Sequence, residues 1–111
     1  VLVTVITAES AVRKTPNKRL VNKPLPGAAF EYDGRIESGY LNGNKEGNLK
    51  LFYMFFQSQS KGDNVPLLLW LNGGPGYSSL VGAFAEIGPF LVNKDYSLYQ
   101  NAYAFNRVDA L

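Results

Sequence analysis

The sequence predicts an α/β fold in which a β-hairpin, a buried strand, a glycine-rich loop and a helix follow one another on an incomplete sheet. Three observations lead there. The run "VPLLLWL" at 65–71 is apolar without alternation, the pattern of a strand covered on both faces as in a parallel α/β sheet. Upstream, the polar turn "NGNKEGN" at 42–48 separates two β-prone stretches. Downstream of the apolar run, "NGGPG" at 72–76 gives way to a helical period.

The first 23 residues read as a possible signal-peptide remnant and basic linker, and residues 24–111 as the domain proper. "VLVTVITAES" fits either the tail of a secretory apolar region cleaved near Ala8 or a strand at the edge of a sheet. The basic "RKTPNKRLVNKPLPG" that follows reads as solvated linker. Next comes a β-prone segment around Ile36–Leu41, and beyond the polar turn the aromatic-rich "LKLFYMFFQS", which completes the hairpin. Pro66 stands at the start of the apolar strand, where a missing N–H costs no ladder bond. Leu80, Phe84 and Ile87 recur at helical spacing, with Ser78 or Ser79 as candidate caps and Gly88–Pro89 as the stop.

Composition removes several function classes. With 46% hydrophobic residues the chain can build a core. Basic residues concentrate before residue 24, five against one acidic; the remainder carries six basic and eight acidic, so no nucleic-acid surface is expected. There is no cysteine and no histidine, hence no disulfide, no thiolate or imidazole metal site and no complete Ser-His-Asp set within these residues. No cofactor is expected. No apolar run approaches the ~20 residues of a membrane-spanning helix.

The glycine loop is the chemical signal. Gly73, Gly74 and Gly76 have no Cβ and can turn their N–H groups outward together, while Pro75 stiffens the loop between them. Backbone donors beside a helix N-terminus suit negative charge. Phosphate cradling, oxyanion stabilisation and a tight structural turn all use such donors. Neither G-x-x-x-x-G-K-[ST] nor G-x-G-x-x-G spacing is present, which weakens the phosphate reading.

"PLLLWLNGGPGYSSL" followed by "EIGPF" resembles the serine carboxypeptidase family of α/β-hydrolases. The similarity extends through "LPG" at 25–27, "SGYL" at 38–41, "LFYMFFQS" at 51–58 and "NAYAFN" at 101–106. The resemblance implies an N-terminal portion of an α/β-hydrolase domain acting on peptide or protein C-termini. Gly74 would supply an oxyanion-hole N–H, a donor typically worth ~3 kcal/mol of transition-state stabilisation. Asn72 and the Gly73 N–H would hold the free carboxylate of the substrate. Trp70 would support that network, and Glu86 would complete it as a protonated acid, a role that the last turn of a helix favours through its dipole. The alternative for Glu86 is a solvent-facing glutamate. The family also implies residence in the secretory pathway, in a lysosome, a vacuole or outside the cell.

Two departures stand out. The family's G-x-S-x-G elbow is absent: "GYSSL" has Leu where the second Gly belongs, so Ser78 and Ser79 read as capping residues, and the chain alone is expected to be inactive. "SQSK" at 58–61 matches S-x-x-K but lies in a polar turn without companion motifs. Tyr77 stands where family members generally carry a bridging Cys. The missing triad and the remainder of the hydrolase domain would lie on further sequence, with "NRVDAL" leading into the next strand. A non-catalytic carboxypeptidase-like binder and an acyltransferase on the same scaffold remain the alternatives.

Overall fold

The computed structural model of the protein describes residues 3–6, 19–21, 25–60 and 65–107. The cleavage position near Ala8, most of the basic leader, Lys61 of the S-x-x-K match and the strand expected after Arg107 lie outside the described residues.

The expected hairpin is present and organises the core. Strands β1 (Val3–Ile6), β2 (Arg19–Leu20), β3 (Ile36–Asn42) and β4 (Lys50–Phe56) precede β5 (Leu68–Trp70). β3 and β4 pair antiparallel from Ile36 opposite Phe56 to Asn42 opposite Lys50. Their turn is pinned by the Gly43 N–H donating to Leu49 O at 2.8 Å and the Leu49 N–H donating to Asn44 Oδ1 at 3.1 Å. Side chains alternate across a strand, so Ile36, Met54 and Phe56 share a face. They pack with Ala83 and Phe90 into one apolar cluster. Phe56 meets Phe84 and Phe90 edge-on, with ring centroids 6.4 and 6.3 Å apart, a favoured aromatic geometry. The opposite face of β3 buries Glu37, which is ion-paired with Arg35.

Strand order in the five-stranded sheet is β2-β3-β4-β1-β5. β1 runs parallel to β4 and antiparallel to β5, so it is an interior strand, not the edge strand that was one of the two readings of this segment. β5 departs from the parallel-sheet reading in its pairing. It is an edge strand paired antiparallel, and Leu68 and Leu69 are 37% and 54% exposed, as are the flanking Leu67 and Leu71 at 44% and 52%. Covering both faces of a strand takes two layers of packed elements. The described residues supply only one π-helical turn, Gly82–Glu86, and one 3₁₀ turn, Phe105–Arg107.

A second antiparallel pair, β6 (Phe90–Val92) and β7 (Leu98–Gln100), was not anticipated. Its five-residue connection closes through the Asn93 N–H to Ser97 O at 2.8 Å, and Asp95 Oδ1 accepts from the Ser97 N–H and hydroxyl. The whole is a strand-rich α/β arrangement with few helical turns and incomplete sheets, compatible with part of a hydrolase domain.

Candidate functional site

The glycine loop leaves the C-terminal end of β5 and returns into the π turn, so Trp70, Asn72 and Gly82 meet. Asn72 is the hub. Its N–H donates to Ser79 Oγ at 2.9 Å, and its side-chain Oδ1 accepts from Trp70 Nε1 at 3.0 Å and the Gly82 N–H at 3.2 Å. Both of those partners are N–H donors with nothing to accept, so the atom between them must be the amide oxygen. The Nδ2 amide group is thereby turned the other way. No hydrogen bond among the described residues takes its protons, and it is not a buried atom.

This arrangement also explains why the expected helix is a single π turn. An α-helix would send the Gly82 N–H to the carbonyl of Ser78. Asn72 Oδ1 takes that donor, the Ser78 carbonyl accepts from Val81 at 3.3 Å, and Ile87 reaches back five residues to Gly82 O at 2.9 Å. A side chain inserted into the ladder is a recognised cause of such widening. Leu80, expected on the buried face, is 39% exposed, whereas Phe84 and Ile87 do turn inward.

The two serines part company. Ser78 Oγ accepts from the Leu80 N–H at 3.3 Å, a local turn bond. Ser79 is fully buried and does not cap; its hydroxyl holds the backbone of Asn72. Gly74 and Gly76 have φ of 129° and 89°, where a side chain is strained. Gly73 was expected to share this, but its φ is not in that region. All three are exposed, and no acceptor among the described residues takes their N–H groups. The loop therefore presents free backbone donors next to the outward Asn72 amide. With a single π turn behind them, no helix dipole adds to their pull on an anion.

Glu86 closes the π turn, one turn beyond Gly82, and is exposed. Its carboxylate makes no hydrogen bond or ion pair with the described residues, and the helix-dipole argument for its role lapses with the helix. Its carbonyl accepts from Asn101 Nδ2 at 3.2 Å; the same amide donates to Gly88 O at 2.9 Å, and Asn101 Oδ1 accepts from the Tyr103 N–H at 3.0 Å. Asn101 thus clamps the end of the turn that carries Glu86. Tyr77, 58% exposed, lies under Gly74, where a Cβ would sit 3.0 Å from its own.

Ser79, Gly82 and Asn101 were not singled out from the sequence for these tasks. The available signal was Gly82, a glycine inside a helical period, which often marks close backbone approach. A Cβ there would sit 2.6 Å from Trp70 Cδ1 and 2.8 Å from Asn72 Oδ1. Two cavities, of about 590 and 650 Å³, lie around Tyr32 and are not lined by the glycine loop. Among the described residues no group of His, Cys, Asp and Glu could hold a metal ion.

Residues 26–111 match the family profile described as serine carboxypeptidase, and that span includes every residue of this site. The chain belongs to the serine carboxypeptidase family. It is 51% identical over 83 residues to a serine carboxypeptidase of Caenorhabditis elegans, covering 74% of this chain and 14% of that protein. A serine carboxypeptidase of Dictyostelium discoideum is 49% identical over 71 residues, 64% of this chain and 17% of the relative. Carboxypeptidase Y homolog A of Trichophyton rubrum is 39% identical over 99 residues, covering 89% and 18%. The chain thus spans less than one-fifth of the length of each of these relatives.

Proposed function

We propose that these residues form the substrate-carboxylate loop and one oxyanion donor of a serine-type carboxypeptidase, on the N-terminal part of an α/β-hydrolase domain. The observation that supports it is the fixed orientation of Asn72. Its oxygen is fully engaged by Trp70 and Gly82, so only donors face outward, next to the free N–H groups of Gly73 and Gly74. A set of donors with no acceptor among them suits a carboxylate, and charge-assisted bonds to it are stronger than neutral ones. In this reading Asn72 and Gly73 bind the C-terminal carboxylate of a peptide, and Gly74 faces the carbonyl oxygen on which charge develops. Glu86, on the π turn, completes the same carboxylate site. The exposed leucines of β5 receive the remainder of the hydrolase domain, which also carries the catalytic serine, aspartate and histidine. The protein belongs in the secretory pathway, and no described helix is long and apolar enough to cross a membrane.

Trp70 is the chain's only tryptophan and is bonded to Asn72, so its indole N–H resonance reports on the site. Titration with a blocked dipeptide bearing a free C-terminal carboxylate is expected to shift that resonance at acidic pH, with its amide counterpart binding more weakly. Asn72→Ala is expected to erase the difference. Equal binding of acid and amide by the unmodified chain refutes the assignment.

A further inference from the structure

The chain contains two Asn-Gly pairs, Asn42–Gly43 and Asn72–Gly73, and the fold treats them differently. An asparagine before glycine can react with its own backbone. The glycine nitrogen attacks Cγ, the N–Cγ bond forms, and negative charge develops on Oδ1. The Cγ–Nδ2 bond then breaks, and the nitrogen leaves as ammonia, protonated by solvent, while the attacking nitrogen gives up its proton. Water opens the resulting succinimide at either carbonyl to leave aspartate or isoaspartate. Glycine favours the attack because no Cβ crowds the nitrogen.

Three features favour the reaction in a folded chain once the glycine nitrogen reaches Cγ: a free nucleophile, stabilisation of the oxyanion, and an unencumbered leaving group. Asn72–Gly73 has all three. The Gly73 N–H has no acceptor among the described residues, and Gly73 has nothing within 4 Å of where a Cβ would lie. Oδ1 already sits between two donors, Trp70 Nε1 at 3.0 Å and the Gly82 N–H at 3.2 Å, the geometry that stabilises a developing oxyanion. Nδ2, the leaving nitrogen, is bonded to nothing described. At Asn42 the oxygen has a partner in Lys50 Nζ, but the nucleophile is locked: the Gly43 N–H donates to Leu49 O at 2.8 Å within the hairpin turn. Attack there must first break that bond.

We propose that Asn72–Gly73 is a self-modification site, at which the two N–H groups that orient the Asn72 amide also promote its deamidation. The product would replace an outward amide donor by a carboxylate oxygen. Resting on the carboxylate-loop reading, this converts the site from attracting a substrate carboxylate to repelling it; the modification itself does not depend on that reading.

The test is peptide mapping by mass spectrometry of the 111-residue chain aged at mildly alkaline pH, in native buffer and in guanidinium. In the denatured chain both pairs are expected to convert at similar rates. Folding is expected to slow position 42 several-fold while position 72 keeps or exceeds its denatured rate. Trp70→Phe keeps the aromatic bulk, removes one oxyanion donor and is expected to slow position 72 several-fold in native buffer only. Slowing of position 72 by folding as strongly as position 42 would overturn the proposal, and this comparison needs no variant. So would a Trp70→Phe chain in which position 72 reacts at an unchanged or higher native rate.

Discussion

Replacing Gly82 by alanine separates a packing role from a helical one, because the two have opposite signs. Inside an ordinary helix alanine is favoured over glycine by ~1 kcal/mol, so a roomy site would gain stability. Here the added methyl would overlap Trp70 Nε1 and lie 2.6 Å from Trp70 Cδ1 and 2.8 Å from Asn72 Oδ1. Moving the indole would also disturb its edge-on contact with Phe105, with ring centroids 6.3 Å apart. Overpacking typically costs about 1–3 kcal/mol. Displacing Asn72 Oδ1 forfeits up to two hydrogen bonds, each worth roughly 0.5–1.5 kcal/mol net. Set against the helical gain of ~1 kcal/mol, Gly82→Ala is expected to destabilise by roughly 0.5–5 kcal/mol. Urea unfolding followed by fluorescence suits the question because Trp70 is the sole tryptophan and the displaced group. The expected result is a lower midpoint together with an altered native emission spectrum. Gly73→Ala is the control: its Cβ meets nothing within 4 Å, and its φ is not positive. A Gly82→Ala chain with an unchanged or raised midpoint and a wild-type spectrum would refute the close-approach argument.

Asn101→Ala removes a 5% exposed amide that makes three hydrogen bonds to backbone groups, and is expected to lower stability by roughly 2–4 kcal/mol in thermal or urea unfolding. Burial pushes the Tyr32 phenol above its ordinary 10.0, against the lowering effects of Gln59, Asn106 and Arg107. The stability linked to this group is therefore complete below that value and is lost as pH rises through the folded-state value. Ultraviolet titration of wild type minus Tyr32→Phe is expected to show a phenolate step above 10.0; a step at or below it would contradict the burial argument.

The hairpin was legible because its signals are local: turn residues between two β-prone runs fix both the strands and their pairing. The glycine loop was legible for the same reason, since Gly74 and Gly76 occupy backbone conformations that other residues avoid. Family membership also lay in the residues themselves, carried by the motif at 66–80 and its companions. The helix and the apolar strand were less tractable. Periodicity reports which residues prefer burial, but burial needs partners; Leu68 and Leu69 have the pattern of a covered strand and no described element to cover them.

The site divides the same way. Trp70, Asn72, Gly73, Gly74 and Glu86 were candidates from sequence because a motif places them in order along the chain; the structure joins Trp70 to Asn72 and leaves the Glu86 carboxylate exposed. Only the tertiary structure decided that Gly82, ten residues beyond Asn72, donates to its side chain and widens the helix into a π turn. The same holds for Ser79, which anchors Asn72 instead of capping, and for Asn101, which holds the turn from fifteen residues beyond Glu86. Sequence determines which groups can donate or accept. Which of them meet is decided by chain reversal and close packing, and hydrogen bonds between segments leave no period in the sequence.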